Sequence, residues 1–254
     1  MELFAKSIGS GEPIAILHGL LGSSDNWFTL GKRMAETFQV HLIDQRNHGR
    51  SPHSTEMSYE LMADDLYAYV QKLQLERLTL IGHSMGGKTA MTFAMKYPSA
   101  VKQLISLDIA PKQYPSGAFD TIFTALSSLE LGDFQSRGEI DTALSAKLPD
   151  AGLRGFLLKN VRRTEENGFA WKMNLPVLTE NLNALTAAPL VLTQFPGSAR
   201  FINGSKSNYI TPADHSAILE HFPAADFRTV EGAGHWVHAE KPEGFMQAIA
   251  DILS

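Results

Sequence analysis

Short apolar runs alternate with longer amphipathic stretches along most of this chain. Several of the runs are almost continuously apolar, as expected for strands that are buried on both faces of a sheet. The runs that predict strands are Pro13–Leu17, Val40–Ile43, Leu78–Ile81, Leu104–Leu107, Arg200–Ile202 and Phe227–Val230. Their alternation with the amphipathic stretches predicts an α/β protein with a mostly parallel, doubly wound sheet covered by helices.

Two of the amphipathic stretches predict helices beside the third strand. In Tyr59–Leu73, between the second and third strands, the apolar residues recur at the spacing of one helical face. Another helix is expected to follow Ser84 and to continue to Tyr97, because Pro98 marks its end.

The alternation breaks between about Pro111 and Pro189. This stretch is helical in composition but interrupted by glycines, and strand signals return only near Arg200. Because structureless connections longer than roughly 12–15 residues are uncommon, we expect a helical cap over residues 111–189, inserted between strands of a core formed by 1–110 and 190–254. Apolar side chains are expected to pack the cap on the core, with a subset lining an acyl pocket: Phe119, Phe123, Leu126, Phe156, Leu157, Trp171 and Met173.

The composition narrows the classes of function. The 254 residues carry 22 Lys and Arg against 27 Asp and Glu, a net charge of -5, so no broad attraction to nucleic acid or anionic membranes is expected. The absence of cysteine excludes disulfide scaffolds, thiolate zinc sites and cysteine nucleophiles. The sequence shows no signal-peptide pattern and no apolar run of about 18 residues, which predicts a soluble, cytoplasmic protein.

The strongest chemical signal is Gly82-His83-Ser84-Met85-Gly86, between the apolar strand Leu78–Ile81 and a helix. This is the G-x-S-x-G nucleophile elbow in its expected context. A sharp strand-to-helix turn leaves no room for side chains two residues from the nucleophile, so glycines are needed on both sides. The pattern predicts Ser84 as a nucleophile, and the alternative is an accidental match on a glycine-rich loop.

A serine hydroxyl needs a base to take its proton, and histidine is the usual one. His235 follows the last predicted strand in Gly232-Ala233-Gly234-His235-Trp236, where the two glycines free the backbone to hold an imidazole over the sheet edge. His238 is the local rival but lies nearer the final helix. His83 is adjacent to Ser84, yet the elbow is expected to point its side chain away. We therefore predict His235 as the base.

A third group must orient the imidazole, and in chain order it lies between the serine and the histidine. Ser207 stands at the usual position of this acid, after the strand that follows the cap. Asp108 lies at the end of the strand before the cap, on the edge where ligands bind in open α/β sheets. Asp214 is more simply a residue in the first turn of a helix. The acid is therefore predicted to be Asp108.

The oxygen of a tetrahedral intermediate needs two preorganised N–H donors. One is expected from Met85, directly after the nucleophile, and the other from Leu20 in the loop that follows the first predicted strand. His18, in the same loop, is expected to be structural.

Two polar segments allow more than one interpretation. Residues 44–51 could form a clamp for a charged substrate, but a hydrogen-bonded turn with Gly49 at positive φ is favoured. Lys159, Arg162 and Arg163 could meet a phosphorylated or coenzyme A substrate, whereas the solvated face of a helix is the simpler interpretation.

His-Gly-Leu-Leu-Gly at 18–22, the polar segment 44–51 and Gly-His-Ser-Met-Gly-Gly-Lys at 82–88 resemble the α/β-hydrolase superfamily. Leu-Asp-Ile-Ala-Pro at 107–111 and the segment 232–242 are more specific and look like the YbfF-type bacterial esterases. This resemblance implies the α/β-hydrolase fold with a helical cap, carboxylic-ester hydrolysis, and no cofactor or metal. It also implies an acid after the strand before the cap, which agrees with Asp108.

These features predict a serine hydrolase that cleaves small-molecule acyl esters or thioesters through an acyl-enzyme intermediate. One alternative is a C–C bond hydrolase or lyase with the same triad. Another, from a different class, is a small-molecule receptor with a vestigial hydrolase site. Dehalogenase and epoxide-hydrolase chemistry is disfavoured, because it needs a carboxylate where Ser84 stands.

Overall fold

The computed structural model describes residues 1–189 and 193–253. It contains a seven-stranded main sheet and a two-stranded hairpin, β6–β7. The strands are β1 Ala5–Ile8, β2 Pro13–Leu17, β3 Gln39–Ile43, β4 Leu78–His83, β5 Val101–Leu107, β6 Val161–Arg163, β7 Phe169–Trp171, β8 Ser198–Gly204 and β9 Ala225–Val230. All six predicted strands are present, most of them longer than predicted.

The main sheet has the strand order β1-β3-β2-β4-β5-β8-β9. The pairing of β1 with β3 is antiparallel, and the other pairings of this sheet within the described residues are parallel. This confirms the predicted α/β class with a mostly parallel sheet. Strand β1 was not predicted, because its four residues lie at a partly exposed edge and contain no apolar run.

Helices lie on both faces of the sheet. Leu66 of α2 and Phe93 of α3 pack with Ala15 on one face, whereas Leu30 of α1 and Phe245 of α11 pack on the other. The helices are α1 Phe28–Met34, α2 Tyr59–Lys72, α3 Met85–Lys96, α4 Asp120–Ser127, α5 Arg137–Ser145, α6 Ala151–Leu158, α7 Leu175–Glu180, α8 Leu182–Thr186, α9 His215–His221, α10 Val237–Glu240 and α11 Pro242–Ala248. The sheet is therefore doubly wound, as predicted.

Local chemistry explains the limits of the two central helices. The Ser58 hydroxyl accepts a hydrogen bond from the N–H of Leu61 at 3.2 Å and so caps the start of α2. Helix α3 begins directly after Ser84 and ends before Tyr97 and Pro98. Strand β4 and helix α3 therefore meet at Ser84, with a single residue between them.

The segment between β5 and β8 contains helices α4 to α8 and the hairpin β6–β7. The hairpin corrects the expectation that this segment is helical throughout. Its strands have three residues each, too few to show a period of two. Arg162 and Arg163 lie on β6, so the prediction of a helix face was wrong for them, although both side chains are exposed.

An apolar cluster joins this segment to the rest of the protein. Leu21, Met62 and Met85 from the sheet side contact the buried residues of α4, α7 and α8. All seven apolar residues predicted to pack the segment belong to this cluster or pack against it.

Residue 190, the predicted start of the second core part, lies outside the described residues. No helix within the described ranges is long and apolar enough to cross a membrane.

Candidate active site

Ser84 occupies a strained turn between β4 and α3. Its φ is 53° and its ψ is -119°, a conformation that side chains rarely adopt. The Ser84 N–H donates to the carbonyl of Leu107 at 3.0 Å, and the Ser84 carbonyl accepts from the N–H groups of Gly87 and Lys88 at 2.8 and 3.1 Å. Hydrogen bonds on both sides of the residue therefore hold the strained turn in place.

The glycines of the elbow are required by close backbone contacts. A Cβ on Gly86 would lie 2.5 Å from the carbonyl oxygen of Leu17, and a Cβ on Gly82 would collide with the carbonyl of Gly86. A Cβ on Gly87 would collide with the side chain of Ile109. The spacing of the glycines thus follows from the sharpness of the turn, as predicted.

The loop after β9 brings His235 to Ser84. His235 Nε2 lies 3.1 Å from Ser84 Oγ, and Nδ1 lies 2.7 Å from Asp108 Oδ2. Because a carboxylate can only accept, Nδ1–H is the donor to Asp108 and Nε2 is free to accept the Ser84 hydroxyl proton. The structure therefore brings together Ser84, His235 and Asp108 in one chain of hydrogen bonds.

Asp108 follows β5 and is fully buried. Its N–H donates to Ile202 on the neighbouring strand β8 at 2.7 Å. Besides His235, its carboxylate accepts from the Ser207 hydroxyl at 2.5 Å and from the Gly204 N–H at 3.2 Å. Ser207, which stands at the usual position of the acid, thus donates a hydrogen bond to Asp108. This contact was not predicted, because it depends on the pairing of β5 with β8.

The two alternative residues, Asp214 and His238, form contacts outside this chain of hydrogen bonds. Asp214 forms an ion pair with Lys112 at 2.8 Å and caps the turn that begins at Thr211. His238 is buried, with its ring stacked on Trp27 at a centroid distance of 4.1 Å. Burial lowers the pKa of His238 to about 3, so this ring is neutral near pH 7.

Two further histidines support the backbone around Ser84. His83 Nε2 donates to the backbone carbonyl of His235 at 2.9 Å. Burial holds the pKa of His83 well below its usual value, so the ring is neutral. His18 Nε2 accepts from the N–H of Gln45 at 3.0 Å, in agreement with the structural role expected for it.

The loop after β2 lies against the elbow. A Cβ on Gly19 would lie 3.3 Å from the Cβ of Ser84, so a glycine permits the close approach. Leu20 and Met85 line the same small cavity as Ser84. Across the described residues, neither the Leu20 nor the Met85 N–H donates to a protein acceptor. Both residues predicted to supply the N–H donors therefore lie beside the serine.

A family model described as the alpha/beta hydrolase fold matches residues 12–242 of the chain. The chain belongs to the α/β-hydrolase family. It is 39% identical over 249 residues to a mouse (Mus musculus) protein called sn-1-specific diacylglycerol lipase ABHD11, covering 95% of this chain and 80% of that protein. It is 34% identical to Esterase YbfF of Escherichia coli (strain K12), covering 98% and 96% of the two chains.

A solved structure called Marine microorganism esterase agrees with this assignment. It is 44% identical to this hydrolase, with a TM-score of 0.96, and the match covers 98% of both chains. These likenesses confirm the YbfF-type esterase predicted from the sequence. The protein is a carboxylic-ester hydrolase that acts on small-molecule esters.

The polar segment 44–51 of this hydrolase forms a turn. The Asp44 carboxylate accepts from the N–H groups of Ser24 and Arg50 at 2.6 and 2.8 Å. Gly49 has a φ of 58°, and Arg46 forms a buried ion pair with Asp65 at 2.7 Å. The segment therefore supports the loops around the site, which confirms the favoured interpretation.

Two cavities meet at Ser84. The larger, about 180 Å³, is lined by Ser84 and His235 and by side chains of α6 and the His235 loop, including Phe156 and Trp236. The smaller, about 20 Å³, lies behind Ser84 toward Lys88. The rings of Phe156 and Trp236 are 5.9 Å apart and also line an outer groove of about 630 Å³. The serine is therefore reached from the outside through a mostly apolar passage.

Proposed function

We propose that Ser84, His235 and Asp108 are the catalytic triad of this esterase. The proposal rests on one observation: the unbroken chain of hydrogen bonds from Ser84 Oγ through the imidazole to the buried carboxylate. This arrangement lets His235 take the Ser84 proton while Asp108 stabilises the imidazolium that forms.

The reaction follows from this geometry. Ser84 Oγ attacks the ester carbonyl carbon, and its proton passes to His235 Nε2. The carbonyl oxygen becomes an oxyanion, for which the N–H groups of Leu20 and Met85 are the donors. The bond to the leaving oxygen then breaks as His235 donates its proton to the alcohol. Water repeats these steps on the acyl-enzyme, releasing the acid and restoring Ser84.

A cap formed by residues 111–189 completes the proposed site. Within the described residues, the segment contributes helices α4 to α8 and the hairpin β6–β7 but no strand of the main sheet, which supports the division into cap and core. Phe119 and Phe156 of the cap line the larger cavity with Ser84. Thioesters fit the same proposal, because a thiol leaving group needs only the same proton from His235.

Replacement of the nucleophile tests the proposal. Ser84→Ala is expected to abolish nearly all hydrolysis of an activated short-chain ester, because no oxygen remains to form the acyl-enzyme. A fluorophosphonate should label the wild type at Ser84 and leave the variant unlabelled, as read by intact-protein mass spectrometry. Unchanged circular dichroism shows that the variant is folded. Wild-type turnover in a folded Ser84→Ala variant would refute the assignment.

A further inference from the structure

The two cavities that meet at Ser84 differ in which reacting groups line them. Ser84 and Leu20 line both. His235 lines the larger cavity, whereas Met85 lines the smaller one. His235 and Met85 therefore mark two different sides of the space around the serine.

The chemistry of ester cleavage assigns a part of the substrate to each side, and this step rests on the proposed function. The leaving oxygen must accept a proton from His235 Nε2, so the alcohol lies in the larger cavity. The carbonyl oxygen points to the N–H groups of Leu20 and Met85. The acyl substituent, which bonds to the same carbon, is then directed away from His235 and into the smaller cavity.

Lys88 lines the smaller cavity. It lies four residues after Ser84, one turn along α3, and its side chain is 1% exposed. Its Nζ donates to the carbonyls of Thr186 and Ala187 at 3.0 and 2.5 Å, at the end of α8. It also lies 4.8 Å from the centre of the Tyr114 ring. These contacts fix the amine and make it a rigid wall.

The charge of the Lys88 amine does not require it to leave its buried position. Burial lowers the pKa of Lys88 to about 7, so the charged and the neutral amine are both populated near neutral pH. The two carbonyls accept both N–H groups of the neutral amine, and the Tyr114 ring is a further contact for the ammonium form. The wall therefore stays in place when an apolar acyl group approaches it.

We propose that Lys88 sets the acyl-chain limit of this hydrolase, which consequently prefers acetyl and propionyl esters of bulky apolar alcohols. The cavity of about 20 Å³ holds one or two water-sized groups. A longer acyl chain would have to displace Lys88 from its two carbonyls. The larger cavity, about 180 Å³, leaves room for the alcohol.

The wild-type enzyme tests this limit directly. In one series the alcohol is 1-naphthol and the acyl group is acetyl, propionyl, butyryl or octanoyl. In the other the acyl group is acetyl and the alcohol is ethanol, hexanol or 1-naphthol. We expect kcat/KM to fall at least about tenfold from acetate to octanoate, since even one misfitting methylene can cost that factor. It should not fall as the alcohol grows.

The two possible failures are distinguishable. If no ester in either series is hydrolysed, the proposed function fails. If esters are hydrolysed but octanoate is cleaved as well as acetate at constant alcohol, the acyl limit is wrong and the triad stands.

Two variants are expected to enlarge the smaller cavity. Lys88→Ala removes the wall, and Leu185→Ala removes a side chain of α8 that lines the same cavity. Each should raise the octanoate-to-acetate ratio of kcat/KM at least about tenfold, a readout that general destabilisation does not move. Leu185→Ala keeps the test available if Lys88→Ala does not fold. A wild-type ratio in a folded variant of either kind overturns the proposal.

Phe156→Ala is the matched control. Phe156 lines the larger cavity beside His235 and Trp236. Its removal should change the alcohol series and leave the octanoate-to-acetate ratio as in the wild type. A change in the acyl ratio as large as that of Lys88→Ala would show that the acyl group lies in the larger cavity instead.

Discussion

Backbone strain is concentrated at the residues around Ser84. Six non-glycine residues of the described chain have positive φ, and three of them are Leu21, Ser84 and Asp108, with φ of 58°, 53° and 52°. Such conformations cost about 1–3 kcal/mol each and persist only where the surroundings hold them. Here the surroundings are the paired strands β5 and β8 and the start of α3. The strain keeps the proposed nucleophile and acid in fixed positions.

The role of Asp108 can be tested by an isosteric change. Asp108→Asn is expected to lower kcat for ester hydrolysis by up to about 10⁴-fold, because an amide no longer holds the imidazole in the required tautomer. KM should change little, since Asp108 is fully buried behind His235. Asp214→Asn is the control, as Asp214 is paired with Lys112. A large loss of kcat in Asp214→Asn with little loss in Asp108→Asn would identify Asp214 as the acid.

At the scale of elements, the loop after β9 is held at three consecutive residues. The Glu240 carboxylate of α10 accepts from the N–H of Gly234 at 2.8 Å and from the N–H of Trp236 at 3.2 Å. The neutral His83 ring donates to the carbonyl of the residue between them, His235. The sequence reasoning missed Glu240, although its place five residues after His235 on a short helix could have indicated this contact.

We expect Glu240 to act as a positioning residue for His235. Glu240→Gln keeps the shape but leaves a single acceptor oxygen, so one charge-assisted hydrogen bond is lost. That loss is worth about 1.5 kcal/mol and should lower kcat roughly tenfold with little effect on KM. Steady-state kinetics on 1-naphthyl acetate measure both constants.

A second exposed glutamate provides the control. Glu243 lies on the next helix, α11, and pairs with Arg33. Glu243→Gln should therefore keep the wild-type kcat. Equal losses in the two variants would show a general charge effect and would remove the positioning role of Glu240.

Elements fixed by local sequence could be predicted, and those fixed by distant contacts could not. The elbow at Ser84 follows from glycine spacing within five residues, and the buried strands follow from their apolar runs. Strands β1, β6 and β7 were missed because short, partly exposed strands carry little pattern. The hydrogen bond from Ser207 to Asp108 joins residues 99 positions apart, so it appears only when β5 and β8 pair.

At the scale of the whole molecule, several histidines are buried without charge. Burial lowers the pKa of His48 and of His238 to about 3 and holds that of His83 well below its usual range. In the unfolded chain each of these rings takes up a proton near pH 6.5. Below that pH the unfolded state therefore binds more protons than the folded state, and the folded state loses stability.

The expected result is an acid-sensitive fold. Each such histidine lowers the free energy of unfolding by about 1.4 kcal/mol per pH unit below pH 6.5, so three together give about 4 kcal/mol per unit. Urea unfolding at pH 7.5, 6.0 and 5.0 measures this slope. His238→Gln should reduce the slope by about 1.4 kcal/mol per pH unit. A slope near zero in the wild type would contradict this expectation.

The position of Asp108 has a consequence for how this enzyme can diversify. Asp108 follows β5, just before the inserted segment. Gly204 and Ser207, which donate hydrogen bonds to its carboxylate, lie at the end of β8, the first strand after that segment. The parallel pairing of β5 with β8, together with the hydrogen bond from the Asp108 N–H to Ile202, joins the two ends of the inserted segment. Closing a longer loop costs only about 0.6 kcal/mol for each doubling of length. We therefore expect that new segments can be exchanged between these two strands, altering substrate range while the proposed triad stays intact.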